Sequence, residues 1–146
     1  MTIPLQLTIP SHSKYLSLTR NVLLQFLSAN QVPDKLARKI VLCVDEACAN
    51  IIKYSYDRNP EGPIEMSFSL ENSDFVAKIR DYGKQCDVEK IKPRNLENIR
   101  PGGLGTHFIF EIMDKVEYCT KRETGTLLTM SKKIEDHEIS QVSNKG

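Results

Sequence analysis

Apolar and polar residues alternate in five stretches of the chain, which is the spacing typical of half-buried β-strands. The first stretch lies at the N-terminus and ends at Pro10, and Pro4 within it indicates an edge strand, because proline lacks a backbone donor. The other four form two pairs that are joined by short turns, which predicts two hairpins. The five predicted strands cover residues 2–9, 64–70, 75–80, 116–120 and 126–134.

Three other stretches carry apolar residues at helical spacing. The first follows Ser11 and Ser13, either of which can cap a helix, and it continues to Asn30. The second starts at Pro33 and Asp34, and the third follows Gly102 and Gly103. The apolar stripes consist of Leu16, Val22, Leu23, Phe26 and Leu27, then Leu36, Ile40, Val44, Ala47 and Ile51, then Phe108, Ile109, Ile112 and Met113.

A long polar segment, residues 82–101, separates the first hairpin from the third helix and has no clear period. Segments of this length within compact domains are usually lids or disordered. The predicted order is strand, two helices, hairpin, long loop, helix and hairpin. This order indicates an α+β fold, a two-layer α/β sandwich whose mixed, mostly antiparallel sheet carries the helices on one face. We expect one domain, residues 1–134, and a polar, flexible tail, residues 135–146.

Composition limits the classes of partner. The 146 residues include 20 Lys plus Arg and 19 Asp plus Glu, so no overall positive field favours nucleic acid or an anionic membrane. The four cysteines form no C-x-x-C pair, which suits reduced thiols in a cytosol. No apolar run approaches the ~20 residues of a membrane helix, and the N-terminus lacks the features of a signal peptide. We therefore predict a soluble cytoplasmic protein.

Glu46 and Asn50 are the first candidates for chemistry. At ~100° per residue they lie about 40° apart around the second helix, away from its apolar stripe. They could belong to a solvated face shared with Lys39 and Lys53. Alternatively, Glu46 could act as a general base while the amide oxygen of Asn50 holds Mg²⁺, a metal that takes few protein ligands and relies on substrate phosphates.

Asp81 follows an apolar strand directly, where a carboxylate must be exposed or paired. An ionised carboxylate only accepts hydrogen bonds, which suits the exocyclic amine of adenine. Gly83, two residues later, would let the backbone turn sharply or approach a flat ring closely. An ordinary Asp-x-Gly turn is the simpler explanation of the same two residues.

The third helix is preceded by a glycine-rich stretch, Gly102, Gly103, Leu104 and Gly105. The first backbone N–H groups of a helix are unpaired and its dipole favours an anion, so this stretch could wrap a phosphate. It could equally be a helix start after a flexible loop. It is neither a P-loop, because it has no G-K-[ST], nor a Rossmann fingerprint, because no strand precedes it.

In this order, the segments Glu46-Ala-Cys-Ala-Asn50, Asp81-Tyr-Gly83 and Gly102-Gly-Leu-Gly105 resemble those of the histidine-kinase-like ATPase superfamily, which has the Bergerat ATP-binding fold. The short chain most resembles the anti-sigma factor serine kinases within that superfamily. The resemblance extends over about residues 2–134.

The resemblance implies a role for each segment. Glu46 would be the catalytic carboxylate and Asn50 the Mg²⁺ ligand. Asp81 would accept the adenine amine with Gly83 beside it, and Thr126 would support adenine recognition. The phosphate-binding residues implied in this way are Gly102, Gly103, Leu104, Gly105 and Thr106. Residues 84–101 would form the ATP lid.

The resemblance also implies a function. The protein would be an ATP- and Mg²⁺-dependent serine/threonine protein kinase that binds a sigma factor and phosphorylates a serine of a small anti-sigma-factor antagonist. A homodimer, as seen in the family, is compatible with the predicted edge strand. One position departs from the family pattern: the adenine segment usually ends in glycine, and Gln85 occupies that place. The alternative is therefore a module of this fold that acts by protein binding alone.

Overall fold

The computed structural model describes residues 3–85, 103–122 and 124–134. Most of the predicted lid, the glycine at position 102 and the predicted tail at 135–146 lie outside these described residues. The elements follow one another as β1 (Leu5–Pro10), α1 (Leu16–Ala29), α2 (Asp34–Asn50), β2 (Pro63–Glu71), β3 (Asp74–Arg80), α3 (Gly103–Ile112), β4 (Lys115–Cys119) and β5 (Leu127–Lys133).

The five strands form one sheet in the order β1-β2-β3-β5-β4. Every pairing among these strands is antiparallel, so the mostly antiparallel sheet predicted from the sequence is entirely antiparallel in the part of the chain that the structure describes. The α+β class is confirmed, and β1 is an edge strand, as Pro4 indicated. β1 ends at Pro10, as predicted, and Pro10 is its last paired residue, opposite Pro63.

The sheet has one buried and one polar face because its side chains alternate. On β2, Ile64, Met66 and Phe68 are buried toward the helices. Phe68 stacks on Phe75 of β3, with ring centroids 6.2 Å apart. The two strands are joined by Asn72 and Ser73, both at positive φ, which is the backbone of a type I′ hairpin turn.

α2 lies at the centre of the helical layer and packs against both α1 and α3. The apolar stripe predicted for it is buried throughout, at 0–8% exposure. Cys43 and Cys48 are also fully buried on this helix, and burial raises the pKa of each thiol to about 12. Both thiols therefore stay protonated and act as small packing groups. No helix in the described ranges is long and apolar enough to cross a membrane.

Two local predictions were wrong. Neither Ser11 nor Ser13 caps α1: Ser11 Oγ donates to the Asn59 carbonyl and accepts from the Gly62 N–H, which ties β1 to the loop before β2. A short 3₁₀ turn, Ser13–Tyr15, precedes α1 instead. Phe108 is 43% exposed, although it was placed in the apolar stripe of α3. It lies about 100° around the helix from the buried Ile109, which takes the central position of the stripe.

Candidate functional site

The end of α2 departs from regular helical geometry directly after Asn50. Residues Ile51–Ser55 form a π turn, closed by the Tyr56 N–H on the Ile51 carbonyl at 3.0 Å. Such a turn contains one residue more than an α-helical turn, and π turns within helices are frequent at functional sites. The extra residue changes the direction in which Ser55 and Tyr56 project, and both contact the segment that follows β3.

Asn50 makes a side-chain contact with the first turn of α3. Its Nδ2 donates to Thr106 Oγ1 at 3.2 Å. Because the amide nitrogen is engaged in this way, the amide oxygen is left as an acceptor on the other side of the group. Glu46 and Asn50 are half-buried, whereas Lys39 and Lys53 are exposed. A solvated face shared by all four residues therefore does not describe this part of α2.

The contact between Asn50 and Thr106 places the start of α3 beside the end of α2. α3 begins at Gly103, so Gly103, Leu104, Gly105 and Thr106 form its first turn, whereas the sequence placed the glycines before the helix. The N–H groups of a first turn have no intrahelical partner and carry the positive end of the helix dipole. A phosphate that binds there would lie near the side-chain amide of Asn50.

Asp81 directly follows β3, and its side chain is only 2% exposed. Its Oδ1 accepts the Gly83 N–H at 3.0 Å, the hydrogen bond of an ordinary Asp-x-Gly turn. The Ser55 hydroxyl also donates to this carboxylate. Loss of hydration on burial raises the pKa of Asp81. That rise is opposed by the Gly83 N–H, the charge of Arg80, the Thr126 N–H and the Ser55 hydroxyl. A simple surface turn would not bury the carboxylate, so the burial is the observation that favours a binding role.

Two glycines are needed for the backbone to pass close to Asp81. A Cβ on Gly83 would lie 2.2 Å from the Ser55 carbonyl oxygen. Gly125 has a φ of +71°, and a Cβ there would lie 2.0 Å from the Asp81 carbonyl oxygen. Its neighbour Thr126 is buried and exchanges backbone hydrogen bonds with Asp81 at 3.0 and 3.3 Å. Thr126, to which the resemblance assigned a part in adenine recognition, thus lies beside Asp81 in the structure.

Gln85, the residue that departs from the family pattern, is directed toward the turn between β4 and β5. Its Nε2 donates to the Thr120 carbonyl at 2.9 Å and to the Arg122 carbonyl at 2.5 Å. The side chain therefore fastens the start of the long loop to this turn.

The sequence interpretation missed three residues of this site. Ser55 and Tyr56 attach the segment after β3 to α2, and Gly125 allows the close approach of Thr126. Ser55 and Tyr56 do not follow the helical periodicity of α2, because the π turn precedes or contains them. The Gly-Thr pair at 125–126 was the signal available for the third.

The donor set fits Mg²⁺ bound together with a nucleotide better than a metal held by the protein alone. In the described ranges, no group of three or more His, Cys, Asp or Glu could hold a metal ion. Mg²⁺ commonly takes one or two protein oxygens and completes its shell with phosphates and water. The amide oxygen of Asn50, oriented by Thr106 and next to the first turn of α3, suits that arrangement.

Comparisons with known proteins agree with this geometry. The serine-protein kinase RsbW of Staphylococcus epidermidis is 28% identical over 151 residues, 97% of this chain and 92% of that protein. RsbW of Halalkalibacterium halodurans is 25% identical over 149 residues, 92% of this chain and 86% of that protein.

Solved structures share the fold. The crystal structure of the RsbU and RsbW domains of a Mycobacterium tuberculosis protein matches with a TM-score of 0.67 at 17% identity, over 91% of this chain and 33% of that one. The histidine kinase domain of a blue-light activated kinase from Erythrobacter litoralis matches with a TM-score of 0.58 at 15% identity, over 92% of this chain and 65% of that one.

A family model described as the histidine kinase-like ATPase domain matches residues 9–132. This range contains α2 with Glu46 and Asn50, the turn at Asp81, the first turn of α3 and Thr126. The resemblance seen in the sequence is therefore confirmed at the level of the family: the chain belongs to the histidine kinase-like ATPase domains.

Proposed function

We propose that this protein is an ATP-dependent serine/threonine protein kinase that regulates transcription by partner switching. It would bind a sigma factor and phosphorylate a serine on a small antagonist of that binding. The proposal is supported by similarity, over nearly the whole chain, to proteins named serine-protein kinase RsbW.

One structural observation carries the proposal: the end of α2 contacts both halves of the candidate site. Asn50 contacts Thr106 at the start of α3, and Ser55 contacts Asp81 after β3. A nucleotide bound between these contacts would have its base and its phosphates held by one helix. Phosphoryl transfer depends mainly on such positioning and on charge neutralisation.

In the base half, the Asp81 carboxylate would accept a hydrogen bond from the exocyclic amine of adenine. Its burial matters here, because a hydrogen bond to an ionised group is worth more when water does not compete. Gly83 would leave room for the flat ring, and Thr126 would support the carboxylate from the neighbouring strand.

In the phosphate half, the first turn of α3 would supply backbone donors from Gly103, Leu104, Gly105 and Thr106, with Gly102 before it. Asn50 would hold Mg²⁺ through its amide oxygen. When bound, Mg²⁺ would neutralise phosphate charge as the phosphoryl group is transferred. Glu46, one helical turn before Asn50, would accept the proton of the attacking serine hydroxyl.

A protein-binding module without kinase activity is the second candidate, because Gln85 replaces the usual glycine. In the structure the Gln85 amide donates hydrogen bonds to the carbonyls of Thr120 and Arg122. The substitution therefore leaves Asp81 and its partners in place, which favours the kinase.

The decisive experiment measures transfer of radiolabelled γ-phosphate from ATP to purified candidate antagonist proteins. The matched variant is Glu46→Gln, which keeps the size of the side chain and removes the base. General-base catalysis contributes about 10²–10⁴-fold, so we expect transfer to fall by that factor while ATP affinity, measured by calorimetry, changes little.

Each outcome separates the candidates. Transfer by the wild type and not by Glu46→Gln supports the kinase with Glu46 as its base. Equal transfer by both proteins would reject Glu46 as the base. ATP binding without transfer to any antagonist, together with ATP-dependent capture of a sigma factor, would favour the binding module. Sedimentation of the same preparation would test whether the protein forms a homodimer.

A further inference from the structure

Tyr56 is the first residue after the π turn, and its hydroxyl connects two segments that are distant in sequence. It donates to the Pro63 carbonyl at the start of β2, at 2.7 Å. It also accepts the backbone N–H of Tyr82, again at 2.7 Å. Tyr82 lies between Asp81 and Gly83, the two residues assigned to the adenine base. One hydroxyl group thus joins the end of α2, the start of β2 and the base-recognition turn.

The ring of Tyr56 fills the space between two glycines. A Cβ on Gly62 would lie 2.3 Å from the ring, and a Cβ on Gly83 would lie 3.0 Å from it. Loss of hydration raises the pKa of the phenol, with a smaller opposing effect from the Tyr82 N–H. The hydroxyl therefore keeps its proton at neutral pH and remains a donor to Pro63.

The base-recognition turn, residues 81–84, is attached to Ser55 and Tyr56 at three points. The Ser55 hydroxyl donates to the Asp81 carboxylate, and the Ser55 carbonyl accepts the Lys84 N–H at 2.7 Å. The Tyr56 hydroxyl accepts the Tyr82 N–H between them. The Tyr56 hydroxyl on the Tyr82 N–H and the Thr126 N–H on the Asp81 carbonyl hold the two sides of the same peptide plane. Together they set the direction in which the Asp81 side chain leaves the backbone.

We propose that Tyr56 is a positioning residue for base recognition. Its hydroxyl holds the turn at Tyr82, so that the Asp81 carboxylate stays aimed at the base, in a fixed relation to the helix that carries Glu46 and Asn50. The inference rests on the proposed function, because it assigns Tyr56 a role in the nucleotide site described above. A purely structural role, anchoring the loop before β2, is the competing explanation.

The test compares Tyr56→Phe with Tyr15→Phe, which removes the same group from a tyrosine that precedes α1. ATP and GTP affinities are measured by calorimetry with Mg²⁺, and the KM for ATP and kcat are measured by phosphate transfer. For Tyr56→Phe we expect ATP affinity to fall about tenfold, roughly the effect of one hydrogen bond. GTP affinity should change little, so the ratio of ATP affinity to GTP affinity should fall. The KM for ATP should rise while kcat changes by less than about twofold. Tyr15→Phe should match the wild type.

A second variant keeps the inference testable if Tyr56→Phe folds poorly, and a double variant tests whether Tyr56 and Asp81 act on the same contact. Ser55→Ala keeps the ring of Tyr56 but removes the hydroxyl on Asp81, and it should narrow the discrimination between ATP and GTP in the same way. In an Asp81→Asn background, Tyr56→Phe should cause little further loss of ATP affinity, because both changes act on the same contact.

The outcomes distinguish the inference from the proposed function. Equal losses of ATP and GTP affinity in Tyr56→Phe, or a lower melting temperature with unchanged discrimination, would reduce Tyr56 to a structural residue. If Asp81→Asn weakens ATP binding but Tyr56→Phe and Ser55→Ala do not, only the inference fails. If Asp81→Asn leaves ATP binding unchanged, the assignment of the base site itself fails.

Discussion

Asp81→Asn should make the nucleotide-free protein more stable near neutral pH and at the same time weaken its binding of ATP. The carboxylate is 2% exposed, so its ionised form has lost most of its hydration. Asparagine has nearly the same shape and can still accept the Gly83 N–H through its oxygen, but it carries no charge. Such a pair of opposite effects is expected where a binding group is retained at a cost in stability.

The effect on stability has a defined pH dependence. Burial raises the pKa of Asp81 in the folded protein above its ordinary value of 3.8. At a pH between the pKa of Asp81 in the unfolded chain and its pKa in the folded protein, Asp81 is protonated in a larger fraction of folded molecules than of unfolded ones. The contribution of Asp81 is therefore most favourable below pH 3.8 and is lost as the pH rises through the folded pKa. Asp81→Asn removes this pH-dependent loss of stability. The free energy of unfolding of the variant should therefore exceed that of the wild type by an amount that grows with pH and then levels off.

The effect on binding follows from the single contact that is changed. Asparagine can place an N–H₂ group where the carboxylate would accept the adenine amine, so one charge-assisted hydrogen bond is lost. Hydrogen bonds to charged groups contribute about 1.5–3 kcal/mol, which corresponds to a loss of about 10- to 150-fold in ATP affinity. In the wild type, ATP affinity should rise with pH as Asp81 ionises, and Asp81→Asn should abolish that rise.

Urea unfolding from about pH 4 to about pH 7 measures the first effect, and calorimetry with ATP over the same range measures the second. Asp57→Asn is the matched control, because it makes the same chemical change at an exposed position. It should keep the pH dependence and the ATP affinity of the wild type. Asp81→Asn protein that is less stable near pH 7 would show that the interactions favouring the charged carboxylate, with Gly83, Arg80, Thr126 and Ser55, outweigh the lost hydration. Unchanged ATP affinity would remove Asp81 from the base site.

Two further predictions concern the metal ligand and the core. Thr106→Val should weaken Mg²⁺ binding to the ATP complex by about two- to tenfold, because the Asn50 amide loses a neutral hydrogen-bond partner, whereas Thr106→Ser should retain it. Titration of Mg²⁺ by calorimetry measures this, and equal affinities for the valine and serine variants would contradict it. Phe68→Ala should lower the free energy of unfolding by about 3–5 kcal/mol, because the ring is fully buried against Phe75. Urea unfolding beside Ser67→Ala, on the polar face, measures it; a loss below about 1 kcal/mol would be inconsistent with this packing.

The strands could be predicted from the sequence because alternation is a local property of each segment. The order of the strands could not. β3 pairs with β5 from Asp74 opposite Lys133 to Arg80 opposite Leu127, across the long loop and α3. Such pairing depends on which apolar faces meet in the folded core, and the period of each strand is the same whatever its neighbour.

The helical stripes could be predicted equally well, but the ends of the helices could not. Ser11 is a good capping residue, yet its hydroxyl forms hydrogen bonds with the loop before β2. Tertiary contacts thus outweigh the local preference of serine for capping a helix. Phe108 fits the helical period of α3 but remains exposed, because Ile109 and Met113 already fill the side that faces the core.

The site shows a similar division. The order of the three segments led to Glu46, Asn50 and Asp81 because each is the fixed residue of its motif. The contact of Asn50 with Thr106 depends on how α2 packs against α3, which no local pattern reports. Ser55 lies five residues after Asn50, about 140° around a regular helix. Ser55 reaches Asp81 as the last residue of the π turn, and the hydrophobic period of the sequence did not indicate that turn.

The segment after β3 is held from two sides, and this bears on the departure at position 85. On one side the π turn of α2 holds residues 81–84. On the other, Gln85 and Arg80 donate to carbonyls of the turn between β4 and β5. A glycine at position 85 could make no such side-chain contact. Asp81 is held by Ser55, by Thr126 and through the Tyr82 peptide, and none of these contacts involves residue 85. We therefore expect that the proposed base site does not depend on a glycine there, and that the substitution affects how the long loop begins. The relation between Asp81 and Asn50 stays set by the π turn that begins after Asn50 and by the contact of its last residue, Ser55, with Asp81.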